Sequence, residues 1–511
     1  MLYTLLIAKN RRFYRLLSVF YLDQKIIFLV HQIQAKYNYR WCGKFALFFE
    51  IYVNRIQSVL KLHISFADYI LIKVNFATIA PFLLNFKDKS MKQTITEKIF
   101  SEHAGCEVRA GQIVQSPIDM VIGNDITTPI SIKAFRNSGA KRLANPAGFA
   151  IVMDHYIPAK DIASANQAKI SRDFAYEHDL PNFFDEKDMG IEHALMPEKG
   201  LVVPGDVIIG ADSHTCTHGA LGAFSTGMGS TDLAYAMITG ENWFKIPTAI
   251  KVIFNGKRAE HVYGKDLILE IIRQIGVDGA LYKTLEFCGE GVADIDMDGR
   301  FSLCNMAIEA GAKNGIVAVD DVTREFLAGR NLRSEPKIHY SDEDAVYERV
   351  IEIDMSRLEP VIAYPFLPSN GKSVREAVRD DIAVDQAFIG SCTNGRLNDL
   401  RIAAQILKGK RVAKKTRLII TPATQKIALA AQKEGLMDIF AEAGAVVSNP
   451  TCGACLGGYM GILGAGERCI STTNRNFVGR MGDRTSEVYL ANSAVVAASA
   501  IAGKIADPRD L

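Results

Sequence analysis

"LVVPGDVIIGADSHT", residues 201–215, runs apolar and β-branched up to Gly210 and then turns to Asp212, Ser213 and His214. Such a run reads as a buried strand. Polar side chains at its C-terminal end suit the loops that carry chemistry in open α/β sheets. The same reading fits "RVIEIDMSRLEPVIAYP" (349–365), "VDQAFIGSCTN" (384–394) and "KTRLIITPA" (415–423), each apolar and strand-like. Between these runs lie helical patterns such as "DLILEIIRQIG" (266–276) and "LRIAAQILKGK" (400–410). Strands alternating with helices predict mainly parallel sheets covered on both faces, an α/β protein. The stretch "LPSNGKSVREAVRDD" (367–381) reads as a linker into the last unit. No repeat, heptad or low-complexity tract stands out.

A chain of 511 residues has room for several cores. Its 48% hydrophobic and 23% charged composition is that of a soluble globular protein. The charge is unevenly spread. Residues 1–90 hold 13 Lys and Arg against 4 Asp and Glu, so residues 91–511 carry about −7 although the whole chain is +2. Neither value calls for nucleic acid as a partner. Residues 1–90 also contain a single Gly (Gly43) and a single Pro (Pro81), and lack turn punctuation. Asp23, Lys25, Asp68 and Lys73 interrupt their apolar runs, which argues against a transmembrane helix. The segment is too long for a plain signal peptide. It is expected to be an atypical extension outside the working protein, with Met91 as the true start, over a membrane-surface or targeting role.

Nine cysteines scattered at long intervals do not form a secreted disulfide framework. They fit a reducing, cytoplasmic compartment with thiols free to bind metal. In "NPTCGACLGG" (449–458), Cys452 and Cys455 can turn both sulfurs toward one metal or cluster. Cys392 in "IGSCTNGR" is the attractive third, a thiol just past an apolar strand among small hydrogen-bonding residues. Alone, the Cys-x-x-C also fits a redox pair or chance. Structural zinc usually shows a second Cys or His pair at short range, and none is present. Three thiolates without a fourth suit a cubane cluster with one iron open to substrate, a Lewis acid more than an electron carrier. Cys216, Cys288 and Cys469 read as ordinary buried thiols.

"IGSCTNGR", then "PTCGAC", then "STTNRNFVGRMG" (471–482) together resemble the aconitase superfamily. Within it the chain is most similar to the two-subunit isopropylmalate dehydratase group, in the form shared with homoaconitase-type enzymes. The resemblance covers residues 91–511 and includes "TEKIFSEHAG", "MDHYIP", "GADSHTCTHGALG", "FSTGMGSTDLA" and "YLANSAVVAASAIAGKI" in order. It implies an aconitase-like fold of several α/β/α units around a central cluster, with boundaries placed at 91–246, 247–366 and 367–511. It implies one 4Fe-4S cluster per subunit on Cys392, Cys452 and Cys455. It also implies that Asp154 and His155 help protonate the departing hydroxide. Asp212, Ser213 and His214 then line the site, Glu286 in "TLEFCGEG" is the site glutamate, and Asn474, Arg475 and Arg480 bind cluster and substrate carboxylate. Asn124 before Asp125 departs from the family's Gln or His before an acid, which leaves that contact open.

The activity implied is a hydro-lyase that interconverts 2-isopropylmalate and 3-isopropylmalate through isopropylmaleate in leucine biosynthesis. A homoaconitase or methylmalate-type dehydratase is the alternative. Because the swivelling domain of single-chain aconitases is not in the sequence, a separate small subunit is expected to bring the base, as a heterodimer or heterotetramer. Neither nucleic acid nor membrane is expected as a partner. An RNA-binding regulator and a structural zinc protein are the readings from other classes. Taken singly, His155 and His214 also fit satisfied core histidines, Asp212 a helix cap, and Arg480 a surface ion pair. "GAFSTGMGS" does not match a nucleotide-binding glycine pattern and reads as tight backbone packing.

Overall fold

A computed structural model describes residues 92–511, so the reading of residues 1–90 as an extension starting before Met91 lies outside the described residues. Three large sheets organise the chain. The first has five parallel strands in the order Asn182–Phe184, Phe149–Val152, Met120–Asn124, Val207–Gly210, Phe224–Gly227. The second has four parallel strands, Asn314–Val317, Lys283–Cys288, Thr248–Asn255 and Arg349–Asp354. The third has seven, with Gln386–Ile389 between Arg417–Ile420 and Arg468–Ser471. A two-stranded antiparallel ribbon, Ile113–Pro117 with Glu241–Lys245, completes the set.

Helices cover the sheets where their apolar stripes dictate. Helix Gly264–Ile275 buries Leu267, Ile268, Leu269, Ile271 and Ile272, and Leu397–Leu407 buries Leu400, Ala403, Ala404 and Leu407, spacings of the kind a helix presents to a sheet. One apolar cluster links Met120 and Ile122 of the first sheet to Val252 and Leu285 of the second and to Phe388 and Val488 of the third. The sheets therefore share a core, which holds the loops at their strand ends in fixed relation.

Three expectations change. The run 349–365 is not one buried strand. Arg349–Asp354 forms the edge of the second sheet with alternating exposure, Val350 being 52% exposed, because only one of its faces is covered. Val361–Ala363 turns antiparallel and joins the third sheet, so it lies on the far side of the boundary placed at 366/367. The expected linker 367–381 contains strand Gly371–Ser373 and helix Val374–Val378, whose start is fixed by a capping box between Ser373 and Glu376.

"GADSHT" ends strand Val207–Gly210 and opens a 3-10 helix, Ser213–Leu221. That helix lies directly on the second sheet: a Cβ on Gly219 would stand 1.7 Å from the Gly315 carbonyl oxygen. Gly227, in the glycine-rich stretch read as packing, would meet the Asp212 carbonyl oxygen at 2.7 Å. Both glycines are demanded by close backbone approach. Gly219→Ala is expected to destabilise the protein by about 3 kcal/mol or more, at the upper end of overpacking costs, measured as a lower midpoint in urea unfolding.

Candidate active site

The loops after the strand ends of the first and third sheets meet over one small cavity. It is lined by Asp154, His155, Ile191, Glu192, His193, Asp212, His214, Cys392, Cys452, Cys455, Asn474 and Arg480. Asp154 and His155 follow strand Phe149–Val152, Cys392 follows Gln386–Ile389, and Asn474 follows Arg468–Ser471. The Cys-x-x-C loop is tied to the first sheet: the Cys452 N–H and the Thr451 hydroxyl donate to the Asp154 carbonyl at 2.8 and 2.9 Å.

The three thiols are buried and unpaired by disulfides. Amide and hydroxyl groups are aimed at them. Asn305 Nδ2 lies 3.1 Å and Asn474 Nδ2 3.4 Å from Cys392 Sγ. Ser391 Oγ lies 3.6 Å from Cys455 Sγ, whose thiol also faces Asn474 Oδ1 at 3.3 Å. Ser391 holds this place with φ +78°, a left-handed conformation unusual for serine and of the kind that gathers at functional sites. Burial pushes Cys392 up to about 12. A hydrogen bond from Cys452 together with the Arg480 charge holds Cys455 well below the thiol range. Arg480, half-buried at the cavity, leaves its Nε without a hydrogen-bond partner among the described residues. Three convergent sulfurs, donors directed at them and a half-satisfied guanidinium suit an anionic metal–sulfur group with an open coordination position.

Opposite the thiols stand two acid–histidine pairs. His155 Nδ1 lies 2.6 Å from Asp154 Oδ1. Asp125, the residue after the unusual Asn124, receives the backbone N–H groups of His155 and Tyr156 at 2.9 and 2.7 Å and so fixes that loop. Burial opposes the imidazolium, but the charges of Asp154 and Asp125 outweigh it and hold His155 well above its ordinary range. In the second pair, Asp212 accepts from His193 Nε2 at 3.0 Å and from the His214 N–H at 2.7 Å. The helix-cap reading of Asp212 is therefore correct, and the same carboxylate lines the cavity. Burial pushes the Glu192 carboxyl well above the carboxylate range, reinforced by Asp154 and Asp212.

Three expected residues fall outside the lining. Ser213 faces back toward His214 Nδ1 at 3.5 Å. Arg475 stands one layer behind, its Nε donating to Glu309 at 2.7 Å. Glu286 is not at the site: it lies in the middle of the second sheet, where its carboxylate accepts the Ser341 and Tyr347 hydroxyls, both at 2.7 Å. The glutamate that reaches the site is Glu309, 2.9 Å from His214 Nε2. Sequence reading also missed Asn305, Glu192 and His193. "GIEHALMPEKG" offered a His beside an acid before a short helix, a weak signal; Asn305 and Glu309 sit in an apolar helical stretch with none. Asn124, left open from sequence, donates to Glu192 Oε1 at 3.1 Å.

The family description "Aconitase family (aconitate hydratase)" matches residues 97–503. This chain belongs to the aconitase family. It is 85% identical over 421 residues to "3-isopropylmalate dehydratase large subunit" of Campylobacter fetus subsp. fetus (strain 82-40), covering 82% of this chain and all of that protein. The protein of the same name from Campylobacter curvus (strain 525.92) is 83% identical with the same coverage. A solved structure, Thermococcus kodakaraensis aconitase X in its holo form, matches 74% of this chain and 89% of its own at 12% identity and a TM-score of 0.43.

Glu309 is the shared acceptor of His214 and Arg475, and it is 4% exposed. Glu309→Ala is expected to cost about 1 to 3 kcal/mol, because it leaves the buried His214 ring and the half-buried Arg475 without their shared acceptor, read as a loss of stability in denaturant unfolding of the metal-free protein.

Proposed function

We propose that this chain is the large, cluster-bearing subunit of a 3-isopropylmalate dehydratase, a hydro-lyase that moves a hydroxyl between neighbouring carbons of isopropylmalate in leucine biosynthesis. The observation that carries this reading is the convergence of Cys392, Cys452 and Cys455 with the Asp154–His155 pair and Arg480 on one small cavity. A 4Fe-4S cluster would be held by the three cysteines, and when bound it supplies a Lewis-acidic iron for the substrate hydroxyl and carboxylate.

This chain's own residues do the rest. His155, held protonated by Asp154, keeps a proton at the cavity wall for the leaving hydroxyl. The Arg480 guanidinium offers its free donor to a carboxylate, a planar match that also selects the face presented. Asn305, Asn474 and Ser391 hold the sulfurs and bias their electron density. Burial of most of the wall, Asp154, His155, Glu192, His193, His214 and the three cysteines among it, limits bulk water and strengthens each of these interactions. A small subunit, the counterpart of the "large subunit" of the relatives' names, completes the cavity and brings the base that takes the carbon-bound proton. Cys216, Cys304, Cys392, Cys452, Cys455 and Cys469 are buried thiols outside any disulfide among the described residues, which fits a reducing, cytoplasmic setting. No helix of the described residues is long and apolar enough to cross a membrane.

The test is an anaerobic assay after iron and sulfide reconstitution, with and without the small subunit, following alkene absorbance from isopropylmalate, homoaconitate and citramalate. Activity is expected only with the partner and best on isopropylmalate; a better rate on another diacid would reassign the substrate. His155→Gln is expected to lower kcat by roughly 10² to 10⁴, the usual range for a general acid, with iron content unchanged. Metal analysis giving one zinc and no sulfide would reject the cluster.

A further inference from the structure

Lys265, at the start of helix Gly264–Ile275, is fully buried, at 0% exposure. Its ammonium donates to the carbonyls of Thr472 at 3.0 Å and Thr473 at 2.5 Å. No carboxylate stands within 4 Å of it among the described residues. The two nearby acids are engaged elsewhere. Asp266 accepts the Val361 N–H and the Asn492 amide, and burial pushes it up to about 6. Asp399 accepts the Asn394 amide and the Arg396 N–H, and burial pushes it up to about 8. A buried cation without a partner anion is strongly disfavoured. What the structure does place nearby is the thiol loop: the Thr472 and Thr473 carbonyls that the ammonium holds lie two and one residues before Asn474, whose side-chain amide meets Cys392 and Cys455.

The carbonyls that Lys265 grips belong to the cluster loop itself. Thr472 exchanges hydrogen bonds with Gly390, its carbonyl accepts the Thr393 hydroxyl at 2.8 Å, and Asn474 two residues on contacts both Cys392 and Cys455. We propose that Lys265 is a positioning residue of the cluster site: its ammonium is the buried counter-charge to the three-thiolate metal–sulfur group and clamps Thr472 and Thr473 so that Asn474 meets the sulfurs. The inference rests on the cluster reading above. Three thiolates and a cubane of charge +2 leave a net negative group in the core, and a fixed positive charge beside it favours holding the metal and favours the reduced state.

The experiment compares the reconstituted full chain with Lys265→Gln, Lys265→Met and Lys265→Arg, measuring iron and sulfide content and the midpoint potential of the cluster's one-electron couple by EPR-monitored titration. The neutral variants are expected to lower the potential by at least a tenfold change in the reduced-to-oxidised ratio, or about 59 mV, while Lys265→Arg keeps iron and potential near wild type. Lys265→Gln retains a donor for the carbonyls, so a purely structural clamp leaves its potential unmoved; wild-type potentials in Gln and Met variants alike would overturn the proposal. If neither neutral variant folds, Lys265→Arg decides: a folded Arg protein that has lost iron or shifted its potential refutes the counter-charge. Wild-type protein without four irons and sulfide refutes the cluster reading itself and is distinguishable from both.

Discussion

The site depends on how many loops one residue, Asp154, ties together. Its carbonyl receives Thr451 and Cys452 from the third sheet, one carboxylate oxygen takes the Glu192 N–H at 2.8 Å, and the other takes His155. Its own N–H donates to Asp125 at 3.3 Å. Each of these bonds contributes on the order of 1 kcal/mol, but their value lies in register. The thiol loop and the acid–histidine pair come from sheets far apart in the chain, and Asp154 fixes one against the other.

Charge governs the same region. Asp154, Glu192 and Asp212 in the cavity wall, with Asp125 and Glu309 just behind it, have few places for water, so each acid must find a donor or stay protonated. His155, His193, His214 and Arg475 answer four of them, and Glu192 is the acid that burial favours as neutral. On the sulfur side the cations, Arg480 and Lys265, have no carboxylate within hydrogen-bonding distance among the described residues. The imbalance of cations toward the thiols is what an anionic metal–sulfur group would need.

The ordered motifs told much of this in advance. Cys392, Cys452 and Cys455, with Asp154, His155, Asp212, His214, Asn474 and Arg480, carry local patterns: thiols after strands, an acid beside a histidine, small residues around each. All nine line one cavity. Glu286 was misread because a lone glutamate in a strand has no local signature that separates a site residue from one satisfied by hydroxyls across a packing layer. Glu309 and Asn305 were missed for the converse reason, since each acts only through partners 95 and 87 residues away in sequence.

By itself, the sequence determined the α/β class, the strand ends where chemistry gathers and the trio of cysteines, because periodicity and short motifs are local properties of a chain. Only the tertiary structure decided which acid meets which histidine, which strand turns out to be an edge, and that a lysine lies buried beside the thiol loop. Burial, desolvation and hydrogen-bond pairing depend on which residues meet across the fold, and that is set by packing between sheets whose residues lie scores to hundreds of positions apart.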